Sequence, residues 1–520
     1  MSSTQMSDEM ESMKLSLAKK HGEEEHLFFT RYFFKQRQGI KFIVNWHHVY
    51  MCDLIEKVIS GEIENLVINI SPGGTKTEIV VINFIAHGLA INPRARFLHL
   101  SGSDTLASLN SSTARDIVTS DDFQMFWPMK IAPDIKSKKR WNVLVNGQPA
   151  GGVYATSISG QVTGFRAGHM APGFQGAILI DDPIKPEDAY SKTKLDRANR
   201  QLLTTVRSRR ANPKTPIVII MQRLAKNDPA GFAIDGNLDG KWTHIYIPAV
   251  IDEDFVKKNI PEKYWKLIDK KSKSVDGRFS YWPYKEPIDQ LLSMEAGGGI
   301  DQSGARVSRH VFNSQYQQQP IQLGGNLIKG EYFGRYKILP KIKYRKIFAD
   351  TAQKTKEHND YSVFAEYGLG VDGKLYLLDQ IRGKWEAPEL QKRAIAFWAK
   401  AKSRDIENFG QLRKMVVEDK SSGTGLVQTI RLMNSIPIEA LERNRDKFSR
   451  VNDALPYLEA RMVEVPEDAP FTNDFISENE AFTADNTHEH DDQIDPMVDA
   501  VMDMLSTGNK LEIWKKMGKG

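Results

Sequence analysis

The run at 66–80, LVINISPGGTKTEIV, constrains the fold more than any other part of this chain. Its first five residues are apolar and mostly β-branched, the pattern of a buried strand. Ser71-Pro72-Gly73-Gly74 breaks that strand, Lys76-Thr77 follows, and 78–89 continues as a mostly apolar helix. Strand, glycine-rich turn, Lys-Thr and helix are the layout of a phosphate-cradling loop. There, backbone N–H groups and a helix N-terminus face the phosphates, the Lys neutralises β/γ charge and the Thr hydroxyl binds Mg²⁺. The common pattern has glycine at both ends of the loop; Ile70 and Thr75 occupy those positions here. Gly73 and Gly74 are therefore expected to supply the positive-φ freedom. The expected nucleotide contacts are Gly73, Gly74, Thr75, Lys76 and Thr77.

A second strand downstream reinforces this reading. AILIDDP at 177–183 is an apolar strand ending in two carboxylates, in a region where strands and helices alternate. Asp181 at the strand end is expected to hold Mg²⁺ together with Thr77, and Asp182 to orient and activate the attacking water. TPIVIIMQ at 215–222 is a third core strand, ending in Gln222-Arg223 where α/β sheets bind ligands. Between them lies GQVTGFRAG at 160–168, a glycine-rich stretch with Arg166 at its centre.

With 520 residues, length favours two or more domains. The apolar runs are too short to cross a bilayer, and the polar N-terminus has no apolar signal core, so neither a membrane span nor secretion is expected. Cys52 is the single cysteine, which excludes an internal disulfide framework and fits a reducing compartment. The net charge of +5 does not by itself indicate nucleic acid. Basic clusters at 136–140, 207–210, 341–346 and 515–519 would bind a polyanion in a salt-sensitive way if several act on one groove.

A second α/β region begins near residue 327. Its strand KIFAD ends in Asp350, a hairpin follows at 361–379, a helix at 389–404, and the strand MVVED carries Glu418. Near the end, HDDQID leads into a helix on which Asp492 and Asp495, three apart, would share a face. Acids at the ends of separate elements are what two Mg²⁺ ions about 4 Å apart need to hydrolyse a phosphodiester. The order of strand Asp, hairpin, helix, strand Glu and late acidic helix is that of an RNase H-like nuclease. The expected fold is α/β: a P-loop NTPase domain with a mainly parallel sheet and helices on both faces, then an RNase H-like α/β nuclease domain.

The boundaries that follow are an arm with a nucleotide-pocket edge at 1–44 and a P-loop ATPase domain at 45–251. A linker or small subdomain at 252–325, a nuclease domain at 326–505 and a basic tail at 506–520 complete the chain. In the arm, 1–25 is polar and loosely ordered or helical; the aromatic and basic run at 28–42 reads first as core packing, and otherwise as the edge of a nucleotide pocket where Gln36 or Arg37 meets a base. His47 and His48 read as structural, and VFNSQYQQQPIQL at 311–323 as a spacer between domains.

With these motifs assembled, the chain resembles the large subunit of tailed-phage terminases over roughly 45–505. The resemblance is carried by LVINISPGGTKTE, GQVTGFRAG, GAILIDDPIK, QYQQQP, FADTAQKTKEHNDYS, VVEDKSSGTGL and HDDQID, in that order. It implies an N-terminal ATPase that moves double-stranded DNA into a procapsid and a C-terminal nuclease that cuts concatemers. By position it implies ATP and Mg²⁺ at Lys76, Thr77 and Asp181, with Asp182 where many relatives carry a Glu. Gln222-Arg223 would be the coupling motif and Arg166 an arginine finger. Asp350, Glu418 and Asp492 would be the nuclease metal ligands for Mg²⁺ or Mn²⁺, with Asp495 or Asp491 in support and Asp360 in an outer position. The implied partners are DNA, a small terminase subunit and a portal on the procapsid. On that portal the protein would form a homo-oligomeric ring, in the bacterial host cytoplasm. The alternatives are a helicase–nuclease of repair and a non-hydrolysing capsid-assembly scaffold.

Overall fold

The computed structural model describes residues 3–160, 162, 164–206, 208–269, 274–301, 303–320, 327–351, 361–419, 422–433, 436–443, 445–483 and 491–506. Asp360 and all but the first residue of the basic tail lie outside these residues. The chain forms two units, 1–292 with 310–322 and 293–309 with 323–520. The stretch 252–325 is thus divided between both units instead of standing apart as a linker. The expected spacer is part of the first unit: Phe312 and Tyr316 are buried, Ala249 N donates to Tyr316 O at 2.8 Å, and Val250 N donates to Gln317 Oε1 at 2.9 Å.

The first unit is built on an eight-stranded sheet. Its strands are β1 (Asn65–Ile70), β2 (Arg96–Ser101), β3 (Lys130–Lys136), β4 (Arg140–Val145), β5 (Gln148–Ser157), β6 (Ile178–Asp181), β7 (Ile217–Met221) and β8 (Trp242–Ile247), in the order β3-β4-β5-β2-β6-β7-β1-β8. From β5 to β8 every pairing is parallel, while β3 and β4 form an antiparallel ribbon at one edge. β1 and β7 are buried along their whole length, as continuous apolar runs covered on two faces must be. The short hairpin of β9 (Val250–Asp252) with β10 (Arg278–Ser280) also belongs to this unit, whereas that of β11 (Gly299–Ile300) with β12 (Arg306–Val307) belongs to the second. Among the described residues no helix is long and apolar enough to cross a membrane.

The N-terminal arm is helical over Ser3–Glu24 and His26–Gln38, and it is tied to the phosphate-loop helix. His26 Nε2 donates to Ile79 O at 2.9 Å, and Trp127 Nε1 donates to Glu23 Oε1 at 2.8 Å. His47 and His48 are both fully buried, in keeping with a structural role. Burial pushes His26 and His99 down to about 4 and His48 to about 3, so all three are neutral when folded. Their folded values lie below the unfolded 6.5, so their stabilisation is complete above that pH and is lost as pH falls through it. Asp181 works in the opposite sense in this window but is outnumbered. Each such histidine is linked to roughly 3–5 kcal/mol over its full shift. Thermal unfolding of the first unit is therefore expected to shift to lower temperature between pH 6.5 and about 5, above the range of ordinary carboxylates. A midpoint that stays level across that window would contradict the burial of these rings as neutral groups.

The second unit carries a seven-stranded sheet. Its strands are β13 (Phe333–Tyr336), β14 (Ile342–Asp350), β15 (Ser362–Gly370), β16 (Leu375–Gly383), β17 (Gln411–Glu418), β18 (Ile438–Leu441) and β19 (Val463–Pro466), in the order β13-β19-β16-β15-β14-β17-β18. β14, β15 and β16 form an antiparallel meander, as the sequence suggests. β17 and β18 then add in parallel beside β14. The helix Ala387–Lys402 packs Leu390, Ala394 and Phe397 into a core with Ile347, Phe364 and Val417.

Candidate active sites

In the first unit, β7 lies between β6 and β1, so the C-terminal ends of these three strands bring Asp181, Gln222 and the loop after Ile70 together. Lys76 is 6% exposed; its Nζ donates to Gln222 Oε1 at 2.5 Å and stands 3.1 Å from Asp182 Oδ2. Thr77 Oγ1 donates to Asp181 Oδ2 at 2.8 Å, and Asn110 Nδ2 reaches the same oxygen at 3.4 Å. The other carboxylate oxygen of Asp181, and that of Asp182, is buried with no hydrogen-bond partner among the described residues. Burial, then the neighbouring Asp182, push Asp181 up to about 7 against the pull of Lys76, Thr77 and Asn110. Two buried unpaired carboxylate oxygens next to a Thr hydroxyl are the kind of oxygen donors that suit Mg²⁺.

The loop conformation corrects one expectation. Gly73 has φ 71°, but the second left-handed residue is Thr75, at φ 56°, instead of Gly74. Gly74 matters for space instead: a Cβ there would lie 2.8 Å from Ile70 Cδ1 and would displace that buried side chain. Thr75 bears a left-handed backbone at a cost of roughly 1–2 kcal/mol, and its Oγ1 donates to Gly74 O at 2.7 Å. Backbone strain of this kind persists where the surrounding structure fixes it. Here Ser71 Oγ donates to Tyr281 OH at 3.0 Å, Trp46 Nε1 donates to Tyr281 O at 2.8 Å, and the Lys285 ammonium donates to Pro72 O.

Tyr281 and Lys285 come from the stretch whose composition suggested a linker, and no motif marks them. Gln318, by contrast, lies in the QYQQQP motif, inside the stretch read as a spacer. Its Oε1 accepts from Arg223 N at 3.0 Å, while Arg223 Nε holds both oxygens of Asp228 at 3.1 Å. Arg37 is not free to meet a base, because it pairs with Glu78 just past Thr77; Gln36 is exposed.

Arg166 stands apart from this cluster. Ala167 N bonds to Arg209 O, and Gly168 N bonds to Arg96 O at the start of β2. The phosphate loop lies at the opposite, C-terminal ends of the strands. A six-residue parallel strand spans roughly 17 Å, so the exposed Arg166 is a sheet's length from Lys76.

In the second unit, β14 and β17 run parallel with Ala349 opposite Val417, which brings Asp350 and Glu418 to the same sheet end. The helix Ile494–Val501 adds Asp495 and Asp499, one turn apart on one face. Arg443 lies among all four: Nη1 is 2.8 Å from Glu418 Oε2, 3.3 Å from Asp495 Oδ2 and 3.5 Å from Asp350 Oδ2, and Nη2 is 2.7 Å from Asp499 Oδ2. Lys447 joins Asp491 at 2.5 Å and Asp495 at 3.1 Å, and Arg450 joins Asp495 at 2.5 Å. Burial raises Asp350 well above the carboxylate range, with Arg443 opposing and Asp495 and Glu418 adding. Burial also raises Asp495, but Lys447, Arg443 and Arg450 outweigh it and hold that group at about 2.

Asp492 takes a different partner from the one expected. It pairs with Arg382 at 3.2 Å, and Arg382 also holds Glu478 at 2.9 Å. The helix begins at Ile494, so Asp492 precedes it and the shared helix face expected for Asp492 and Asp495 does not form. The face belongs to Asp495 and Asp499. Asp499, Arg443, Lys447 and Arg450 were not anticipated.

Residues 347–504 match the family model of the terminase RNaseH-like domain, which covers Asp350, Glu418, Arg443, Asp495 and Asp499. No curated protein matches the sequence. Among solved structures, the large terminase of a thermophilic bacteriophage in complex with ADP is similar at 10% identity and a TM-score of 0.46, over 87% of this chain and 98% of that one. The HK97 bacteriophage large terminase is similar at 12% identity and a TM-score of 0.32, over 89% and 95%. The Phi-28 gp11 DNA packaging motor follows at 9% and 0.24, over 81% and 94%.

Proposed function

We infer that this chain is a terminase large subunit, an ATP-driven motor that moves double-stranded viral DNA into a procapsid and a metal-dependent endonuclease that cuts the concatemer. The observation that carries this reading is the pairing, in one polypeptide, of a Lys76–Gln222–Asp182 phosphate-loop site with a terminase RNaseH-like domain. Without nucleotide, Lys76 is held by Gln222 and Asp182. An incoming triphosphate draws the ammonium onto its β/γ oxygens and releases the Gln222 amide, while Asp182 is left to orient water. Arg223, the next residue, is fixed to Gln318 and Asp228, so a change at Gln222 is passed into the segment after residue 310. Thr77 and Asp181 would hold Mg²⁺ at this site, and Asp350, Glu418, Asp495 and Asp499 would hold Mg²⁺ or Mn²⁺ at the other. The ions supply charge neutralisation and water activation when bound. DNA is held by phosphate contacts without sequence readout, the small subunit selects it, and the portal seats the motor as a ring.

The nuclease half is tested by Asp350→Ala. Metal-dependent nicking of plasmid DNA is expected to fall by roughly 10- to 100-fold or more, with ATP hydrolysis unchanged. Cleavage at the wild-type rate would remove Asp350 from the reaction.

A further inference from the structure

We propose that Arg443 is a built-in counter-cation of the nuclease centre, holding its four carboxylates until a divalent ion displaces the guanidinium. This rests on the nuclease reading above. The Arg443 side chain is 3% exposed, and its guanidinium lies within 3.5 Å of oxygens from Asp350, Glu418, Asp495 and Asp499, which come from three separate elements. That is the environment of a bound cation: hard oxygen donors, little water and an excess of negative charge. A planar guanidinium is wider than a metal ion and spreads its acceptors. Among the described residues, no three Asp, Glu, His or Cys side chains converge closely enough to hold an ion as they stand. The same oxygens thus have two closures, one around Arg443 and one around metal, and they exclude each other.

Arg443 follows directly after β18, in the segment between that strand and the helix Lys447–Glu459, and it has somewhere to go. It lines a cavity of about 410 Å³ whose wall also includes Glu442, Arg445, Arg450 and three acids that already have cationic partners, Glu439 with Lys414, Asp453 with Arg445 and Asp503 with Lys346. A guanidinium turned into that cavity keeps Asp499, which also lines it, and meets Glu442 while vacating the space between Asp350 and Asp495. Lys447 and Arg450 remain beside Asp495 and keep the centre from carrying its full negative charge in either state. The sequence around it, EALERNRDKFSR, reads as a solvated basic run, so only the folded arrangement exposes this role.

The experiment is titration of the full-length protein with Mn²⁺ and with Mg²⁺ by calorimetry, with thermal unfolding in parallel, for wild type, Arg443→Gln and Arg443→Lys. Arg443→Gln is expected to bind Mn²⁺ at least tenfold more tightly than wild type while unfolding at a lower temperature without metal. Arg443→Lys, which keeps a point charge but not the fork, should fall between the two. Adding Asp495→Asn to Arg443→Gln should abolish the gain, locating it at this centre. Equal or weaker binding in both single variants would overturn the counter-cation while leaving the nuclease reading in place. No divalent-ion binding by any of the proteins would sink both.

Discussion

Lys76→Ala is expected to lower DNA-stimulated ATP turnover by roughly 100- to 1000-fold, equivalent to about 3–4 kcal/mol of transition-state stabilisation. Among the described residues the ammonium is the one cation that bridges Gln222 and Asp182 across three strand ends, and hydrolysis develops negative charge where it points. Its loss also leaves Asp181 and Asp182 facing each other with less compensation, driving Asp181 further above about 7 and weakening its hold on Mg²⁺. Plasmid cleavage should continue, since the carboxylates that carry it belong to the other unit. Measured as steady-state phosphate release with saturating DNA, a rate within a factor of a few of wild type would mean that the loop is not where ATP is split. Lys76→Arg separates charge from fit. A guanidinium restores the charge but overfills a site that is only 6% exposed, so recovery should be slight.

The largest expected effect on stability lies in the second unit, at Arg345. Its side chain is 1% exposed and its partner Glu366 is completely buried, with Nη1 on Oε1 at 2.5 Å. The same guanidinium donates to the carbonyls of Ala401 at 2.7 Å, Phe409 at 2.8 Å and Gly410 at 3.1 Å. Arg345→Met leaves three buried carbonyls without this donor and Glu366 with Arg404 alone, at 3.0 Å. Breaking one side of such a pair costs about 3–5 kcal/mol. Arg345→Met/Glu366→Leu removes the stranded charge as well, and should recover much of that loss. Denaturant unfolding of the second unit measures both. A single variant that loses less than about 1 kcal/mol would show that the pair is solvated in practice.

Both variants test elements that the sequence displayed unevenly. β6, β7, most of β1 and the C-terminal halves of β14 and β17 were legible because buried strand segments are nearly continuous apolar runs, and acids and polar residues mark their ends. β8 was not, because WTHIYI mixes polar and apolar residues and is only half-buried. The short strands β13, β18 and β19 lack the length for a pattern. Asp350 and Glu418 could be picked out from strand ends. The choice between Asp492 and Asp495 depended on where a helix begins, a boundary that single residues do not fix. Arg345 and Arg443 were illegible in principle, since a buried cation and a solvated one have the same letter, and only the surrounding carboxylates tell them apart.

The way the chain shuttles between its units limits how it can be taken apart. Because 293–309 belongs with 323–520, and 310–322 with 1–292, no single scission yields two intact halves. A fragment starting at 323 loses the β11–β12 hairpin and, with it, the Arg309 N–H that bonds to Glu459 Oε2 at 2.9 Å. A fragment ending at 292 loses Gln318 and the anchor it gives Arg223. Isolated pieces of either kind would report damage at their severed ends as readily as the behaviour of the parent, which makes point variants of the whole chain the cleaner dissection.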